Sequence, residues 1–217
     1  EALTDYFIAK FDPQVADDDA EAETSRSEAV QTSRQQVLQA LDEVATLDAD
    51  RVLSTLLNLV DATDRTNLYQ GHDWVSLKLR PAEIDSAPQP RPAHEIWVYS
   101  PEVEGTHLRF DRIARGGLRW SDRQEDFRTE VLGLVKAQIV KNSVIVQSLT
   151  KNGFYAKQLP DPREDRSAWF EAGREAYKTF IRALLDITDK QVEQEGGGSV
   201  SVVAPDQVVR HDDDDAY

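Results

Sequence analysis

The sequence of 217 residues contains no cysteine and no methionine. Without cysteine the chain cannot form a disulfide, a thiolate metal site or a thiol nucleophile, and a reducing, cytoplasmic setting is expected. No run of about 18 apolar residues occurs and no signal sequence opens the chain, so no membrane partner is expected. The absence of methionine predicts a segment of a longer protein or an altered sequence, and the abrupt ending HDDDDAY favours the segment.

Three kinds of site are also missing from the sequence. No serine stands in a GxSxG motif, which argues against a hydrolase. No GxGxxG motif occurs, so the chain has no dinucleotide-binding fingerprint of its own. The histidines lack the spacing of metal ligands, and no metal site is expected; they are His72, His94, His107 and His211.

The charge of the chain is strongly acidic, with a net value of -15 at pH 7. An acidic surface argues against nucleic-acid partners, because neutralising phosphates requires a cationic face. Residues 107–157 differ from this background, since they contain ten Lys or Arg against five Asp or Glu. A local cationic cluster of this kind is suited to a small anionic substrate.

The first part of the chain, residues 1–73, is predicted to be a helical segment. Residues 1–11, 31–45 and 48–62 carry apolar side chains at steps of three and four, and Asp48 is a plausible N-cap. Acidic residues 17–27 are interpreted as a solvated loop, with an interaction tail as the alternative. The apolar stripes are predicted to be packing surfaces.

Residues 74–217 are predicted to form an α/β domain, in which helices flank a mixed β-sheet. Alternating apolar residues predict strands over 74–79, 95–100 and 106–111, with a turn at 102–105 and an irregular proline-rich run at 86–92. A helix over about 123–141 is predicted to pack on the sheet, and residues 143–146 are predicted to be a short buried strand. A loop over 147–153 would then carry Lys151 beyond the end of that strand.

The motif RGGLR, residues 115–119, contains the feature with the clearest chemical meaning. Adjacent glycines, Gly116 and Gly117, permit a tight turn and close approach of backbone N–H groups to a ligand. Ser121 and Asp122, followed by Gln124 and Glu125, then resemble a capping box that opens the helix. Helix N-termini and arginine side chains both favour anions, so the motif predicts a carboxylate or phosphate site. A simple tight turn with surface arginines is an equally good interpretation of the residues alone.

The remaining residues carry less information about function. Residues 166–195 are predicted to be a long amphipathic helix with its aromatic residues in the core, followed by a strand or linker over 199–204. The run Asp212, Asp213, Asp214 and Asp215 is interpreted as a solvated acidic loop, and less readily as a divalent-cation site, because the turn glycine of a calcium loop is missing.

The stretch RFDRIARGGLRWSDRQEDFRTEVLGLVKAQIVKN resembles the signature of the large, high-molecular-weight NAD-dependent glutamate dehydrogenases of bacteria. TDRTNLYQ, LKLRPAEI and YKTFIRALLDITD fit the same family, so the likeness covers most of the chain. The resemblance implies oxidative deamination of L-glutamate to 2-oxoglutarate and ammonia, with residues 74–217 as the substrate-binding domain. It implies NAD as the cofactor, held by a Rossmann domain outside this sequence. The parent is expected to be a homo-oligomer, most simply a tetramer.

The resemblance also implies roles for particular residues. The cations that precede the GGxR turn and that close the following helix bind substrate carboxylates in the family, and these positions correspond to Arg115 and Lys141. Gly116, Gly117 and Arg119 complete the substrate-binding motif. The catalytic lysine of the family corresponds to Lys151, and a lysine among other cations is suited to acid–base chemistry.

Two departures from the family pattern leave a second hypothesis open. Where the family has approximately PVGAKGG, this chain has QSLTKNG, in which Asn152 replaces one glycine and only Gly153 remains after the lysine. The catalytic aspartate of the family is expected beyond Tyr217, so the chain alone is predicted to be inactive. The alternative is a non-catalytic structural or subunit-contact module with a degenerate active-site loop.

Overall fold

The computed structural model describes residues 1–15, 20–110, 116–141, 150–193 and 200–215, without the side chains of residues 20–23 and 138–141. These residues form five α-helices and two β-sheets, which confirms the predicted α/β class. The helices are α1 (Ala2–Phe11), α2 (Ala20–Asp42), α3 (Leu47–Asp61), α4 (Phe127–Lys141) and α5 (Arg166–Leu185). The strands are β1 (Thr63–Thr66), β2 (Val75–Leu79), β3 (His94–Tyr99), β4 (Val103–Arg109), β5 (Gly116–Ser121), β6 (Thr150–Ala156), β7 (Lys190–Glu193) and β8 (Val200–Val203).

The main sheet has six strands in the order β1-β2-β3-β4-β6-β5. Neighbouring strands run antiparallel from β1 through β6, and β5 pairs with β6 in parallel. A parallel pair requires a crossover connection, and α4 lies within the one between β5 and β6. The mixed sheet that the sequence predicts is therefore confirmed. A separate hairpin of β7 and β8 follows α5.

The alternating segments of the sequence form strands as predicted. In β3, Ile96 and Val98 are buried in the main core, where they pack with Phe154 of β6 and Phe180 of α5. The turn before β4 is earlier than predicted, because the Ser100 N–H donates to the Val103 carbonyl at 2.8 Å. The predicted strand over 143–146 lies outside the described residues.

Helix α5 covers one face of the sheet, which we call the α5 face. It begins at the N-cap Asp165, whose carboxylate accepts a hydrogen bond from the Ala168 N–H. The predicted continuation to residue 195 is wrong, since α5 ends at Leu185 and the chain enters β7 at Lys190. Strand pairing between β7 and β8 supplies long-range hydrogen bonds that helical periodicity does not reveal.

The helical segment differs from prediction at two helix starts. Helix α2 begins at Ala20, so the predicted solvated loop is wrong for residues 20–27, while residues 17–19 lie outside the description. The N-cap of α3 is Thr46 and not Asp48; its hydroxyl accepts a hydrogen bond from the Ala49 N–H. A small core of Tyr6, Val37 and Leu57 joins α1, α2 and α3.

The C-terminal residues His211 to Asp215 pack against the α5 face, and we call them the acidic strap. The predicted solvated loop is wrong for Asp212 and Asp215, which are only 11% and 13% exposed, whereas Asp213 and Asp214 are exposed as predicted. Both carboxylates form ion pairs with Lys78 of β2. Asp212 also binds Arg65 of β1, a strand that the sequence analysis did not predict, at 2.5 Å. Buried cations of the sheet therefore hold the strap.

The opposite face of the sheet, the α4 face, is covered unevenly. Helix α4 packs over β4 and β6, where Leu108, Val131 and Leu132 form a buried cluster. Beside α4, an apolar groove of about 750 Å³ lies between β2, β3 and the helices α1 and α3. Its lining includes Phe7, Leu77, Trp97, Glu95 and Arg128.

Candidate functional site

The candidate site is built on the parallel pair of strands β5 and β6. Gly116 lies opposite Thr150, Gly117 opposite Lys151 and Arg119 opposite Gly153. The predicted glycine turn is wrong, because Gly116 and Gly117 open strand β5. A Cβ atom at Gly116 would lie 1.6 Å from the carbonyl oxygen of Thr150, so only glycine permits this pairing. Gly116 allows a close approach of its backbone, as predicted, but the backbone approaches a neighbouring strand and not a ligand.

Lys151 lies near the start of β6 on the α4 face. Its loop location was predicted incorrectly, since residues 150–153 belong to the strand, while residues 147–149 lie outside the description. A Cβ atom at Gly117 would lie 3.5 Å from Lys151 Nζ. The ammonium group therefore lies beside the Gly117 backbone with room for no more than an ordinary methyl contact, and Lys151 itself is half-buried.

Arg119 lies two residues beyond Gly117, so it projects from the same face of β5. Its Nε atom is 3.4 Å from Glu130 Oε2 of α4, and its side chain is 50% exposed. Glu130 also accepts a hydrogen bond of 2.9 Å from the Ser121 hydroxyl. Ser121 accepts from the Arg123 N–H and so closes a local turn, while α4 begins at Phe127 and not near residue 123.

The structure brings together four of the six residues predicted for the site: Gly116, Gly117, Arg119 and Lys151. Arg115 lies outside the described residues. Lys141 is the last residue of α4, and its side chain also lies outside the description. The assignment of these two cations to substrate carboxylates remains a prediction.

Two residues near the site were missed by the sequence analysis. Glu95 of β3 is 5% exposed and forms two hydrogen bonds with Arg128 of α4, at 2.7 and 2.6 Å. Glu95 also accepts a 2.8 Å hydrogen bond from the buried Thr106 hydroxyl. The signal that could have indicated a buried ion pair is the glutamate in EIWVY, because a charged residue within an otherwise apolar strand needs a partner when it is buried.

The α5 face behind the site carries a second set of polar residues. His107 lies opposite Asn152 across β4 and β6, and the two side chains are hydrogen-bonded. Burial lowers the pKa of His107 to about 4, although this hydrogen bond acts in the opposite direction. The histidine is therefore neutral at pH 7. Asn152, one of the residues that depart from the family pattern, has a structural partner on the face opposite Lys151.

Other kinds of functional site receive no support from the part of the chain that the structure describes. No group of three or more His, Asp and Glu side chains is arranged to hold a metal ion among the described residues. None of the described helices is both long and apolar enough to cross a membrane.

Comparison with known proteins identifies the family. Residues 36–217 match the family model of the bacterial NAD-glutamate dehydrogenase catalytic domain. The NAD-specific glutamate dehydrogenase of Halomonas elongata is 48% identical over 99% of this chain. The enzymes of the same name from Pseudomonas aeruginosa and Mycobacterium tuberculosis are 51% and 46% identical, over 86% and 100% of the chain. The chain spans 12–13% of the length of these relatives. It belongs to the family of bacterial NAD-glutamate dehydrogenase catalytic domains.

Proposed function

We propose that this chain forms the substrate-binding part of an NAD-dependent glutamate dehydrogenase, which converts L-glutamate to 2-oxoglutarate and ammonia. One observation carries the proposal: Gly117 lies opposite Lys151 on a parallel strand pair, with no side chain of its own beside the ammonium group. The family of the chain supports the same function. The substrate class is a small dicarboxylate.

Each predicted residue has a role in this proposal. Lys151 binds the substrate at its reacting end and exchanges a proton with the attacking water or the leaving amine, because an ammonium group can both pair with an anion and donate a proton. Gly117 places no side chain of its own beside Lys151, where the substrate binds. Arg115 and Lys141 bind the two substrate carboxylates, and Arg119 adds positive charge on the same side of the sheet.

The cofactor is assigned to another part of the parent protein. The sequence contains no GxGxxG motif, so the residues at hand do not fit the pyrophosphate of NAD. We therefore derive no step at the nicotinamide from this chain. Its own contribution is to bind and orient the substrate and to move a proton at Lys151.

The proposal extends to the organisation of the protein. Residues 74–217 form the substrate-binding domain, and residues 1–73 form the helical segment that also contributes β1 to the edge of the sheet. The parent enzyme is cytoplasmic and assembles as a homo-oligomer, with a tetramer as the simplest form. Light scattering of the purified parent measures its mass in solution. A mass of four protomers supports the tetramer, and a mass of one protomer contradicts it.

A non-catalytic structural module is the second candidate function. It is favoured by the departure of QSLTKNG from the family pattern and by the hydrogen bond that Asn152 makes with His107. In this case the altered segment serves the packing of the sheet, and Lys151 has no substrate.

Calorimetric titration with 2-oxoglutarate separates the two candidates. The proposed function requires saturable binding that is lost in Lys151→Ala and retained in Lys178→Ala. Lys178 is a suitable control, because it lies on α5 in an exposed ion pair with Glu175. A monocarboxylate, 2-oxobutyrate, should bind far more weakly than 2-oxoglutarate, because it lacks one of the two carboxylates. The absence of any heat at millimolar 2-oxoglutarate would favour the structural module.

A further inference from the structure

We propose that Glu95 and Arg128 are positioning residues for the substrate site. Their ion pair fixes the position of α4 over β4 and β6, and this position sets the affinity of the Lys151 site for a dicarboxylate. The inference rests on the proposed function for the identity of the ligand, and on the geometry of α4 for the mechanism.

The pair has the geometry of a directional clamp. Arg128 donates from Nε to Glu95 Oε1 at 2.7 Å and from Nη2 to Oε2 at 2.6 Å. Two parallel hydrogen bonds fix the orientation of a guanidinium group as well as its distance. Glu95 is itself held by the Thr106 hydroxyl, and Thr106 lies opposite Gly153 of β6. The ion pair therefore connects α4 to β3 and, through Thr106, to β4, the strand that pairs with β6.

A second polar anchor holds the other flank of α4. Glu130 follows Arg128 by two residues, which places the two side chains about 200° apart around the helix. Glu130 binds Ser121 and Arg119 of β5, at the edge of the sheet. Arg128 reaches β3, towards the centre of the sheet. Between these anchors, Val131 Cγ2 rests against the backbone of Gly153, where a Cβ atom would lie only 2.2 Å away.

The position of α4 depends most on its contacts on the Glu95 side. The apolar groove of about 750 Å³ lies on this flank, and Glu95 and Arg128 form part of its lining. Close packing therefore does not hold α4 on its β3 side. The ion pair supplies the constraint, and without it the Glu130 anchor would draw the helix towards β5, where Gly117 and Lys151 lie.

The test uses Glu95→Gln, which removes the charge but keeps the shape and a hydrogen-bonding oxygen for Thr106. We expect 2-oxoglutarate to bind about tenfold more weakly to the folded variant, since displacements of about 1 Å can cost up to a hundredfold. Arg128→Lys keeps the charge without the two parallel bonds and should give an intermediate loss. Arg34→Gln is the matched control, because it breaks the Arg34–Asp61 pair between α2 and α3 without touching α4.

Amide NMR spectra of the ligand-free chain provide a second readout. The signals of Gly117, Lys151 and Gly153 should shift in Glu95→Gln and remain in place in Arg34→Gln. Unchanged signals overturn the positioning role whether or not the chain binds 2-oxoglutarate. Shifted signals with unchanged affinity also overturn it. Failure of the proposed function is recognised separately, as an absence of binding by the unaltered chain.

Discussion

Gly117 and Lys151 lie opposite each other on β5 and β6, with 3.5 Å between Lys151 Nζ and the position that a Cβ of Gly117 would occupy. The neighbouring pair, Gly116 and Thr150, leaves no such space, because a Cβ of Gly116 would overlap the Thr150 carbonyl. Adjacent glycines in one motif therefore have different physical roles. Gly116 permits the strands to pair, whereas Gly117 places no side chain beside the ammonium group.

Alanine substitutions distinguish these roles. Gly117→Ala should fold normally, since the added methyl group would make only an ordinary contact with Lys151 Nζ, but it should weaken 2-oxoglutarate binding by filling the substrate space. Gly116→Ala should destabilise the chain by about 2 kcal/mol or more, because the methyl group forces the backbones apart. Urea unfolding measures the stability and calorimetry the affinity. Equal effects of the two substitutions on both quantities would contradict the distinction.

A third glycine, Gly153, is required by the packing of α4. Gly153→Ala should cost about 1–3 kcal/mol of unfolding free energy, because the new Cβ would lie 2.2 Å from Val131 Cγ2. Val131→Ala removes the opposing methyl groups and should recover part of this loss when the two substitutions are combined. Unfolding of the single and double variants gives the coupling between the sites. Strictly additive losses would show that the two residues do not constrain each other.

Lys78 is predicted to hold the acidic strap in place. Its side chain is 3% exposed, and its ammonium group pairs with both Asp212 and Asp215. Lys78→Gln should reduce stability by about 3–5 kcal/mol, because it leaves buried carboxylates without their cation. The exposed Lys178→Gln should change stability by less than about 1 kcal/mol. Hydrogen exchange should also become faster in the strap of Lys78→Gln, and unchanged exchange there would contradict the proposed anchoring.

The stability of the chain should decrease as the pH falls from 6.5 towards 4. Burial lowers the pKa of His107 and of His211 to about 4, from an ordinary value of 6.5. Between these values the unfolded chain binds more protons than the folded chain, so acid favours unfolding. Asp64 acts in the opposite direction, because burial raises its pKa to about 6. Burial also lowers the pKa of His94, so three histidines act against one aspartate and the net result is a loss of stability in acid.

His107→Gln tests the histidine contribution to this pH dependence. Removing one of the imidazoles whose pKa is lowered should flatten the fall in unfolding free energy between pH 6.5 and 4, measured by urea unfolding at each pH. His72→Gln is the control, since the side chain of His72 is 39% exposed. The prediction fails if the two variants show the same pH profile.

The local patterns of the sequence predict those elements that local interactions determine. Strand β2 follows from the alternation of Val75, Leu77 and Leu79, and its bounds agree with the structure within one residue. The same alternation does not reveal that Lys78 is buried, because its partners Asp212 and Asp215 come more than 130 residues later. The acidic strap is predicted to be solvated for the same reason, because its cationic partners are far away along the chain. Charge alone does not indicate which charges will meet.

The candidate site shows the same division between local and long-range information. The motif RGGLR identifies residues that come together, but its glycines are interpreted locally as a turn. Pairing with Thr150 and Lys151, across the crossover that contains α4, makes them the start of a strand. Glu95 and Arg128 carry no motif at all, because their meeting depends on how α4 lies across the sheet.

Amide NMR mapping of 2-oxoglutarate on the unaltered chain tests the central claim most directly. We predict that saturating ligand shifts the signals of Gly116, Gly117 and Lys151 and leaves those of Lys78 and Asp215, on the opposite face of the sheet, unchanged. The shifts should be absent in Lys151→Ala. Shifts confined to the α5 face, or no shifts at β5 and β6 at millimolar ligand, would contradict the account.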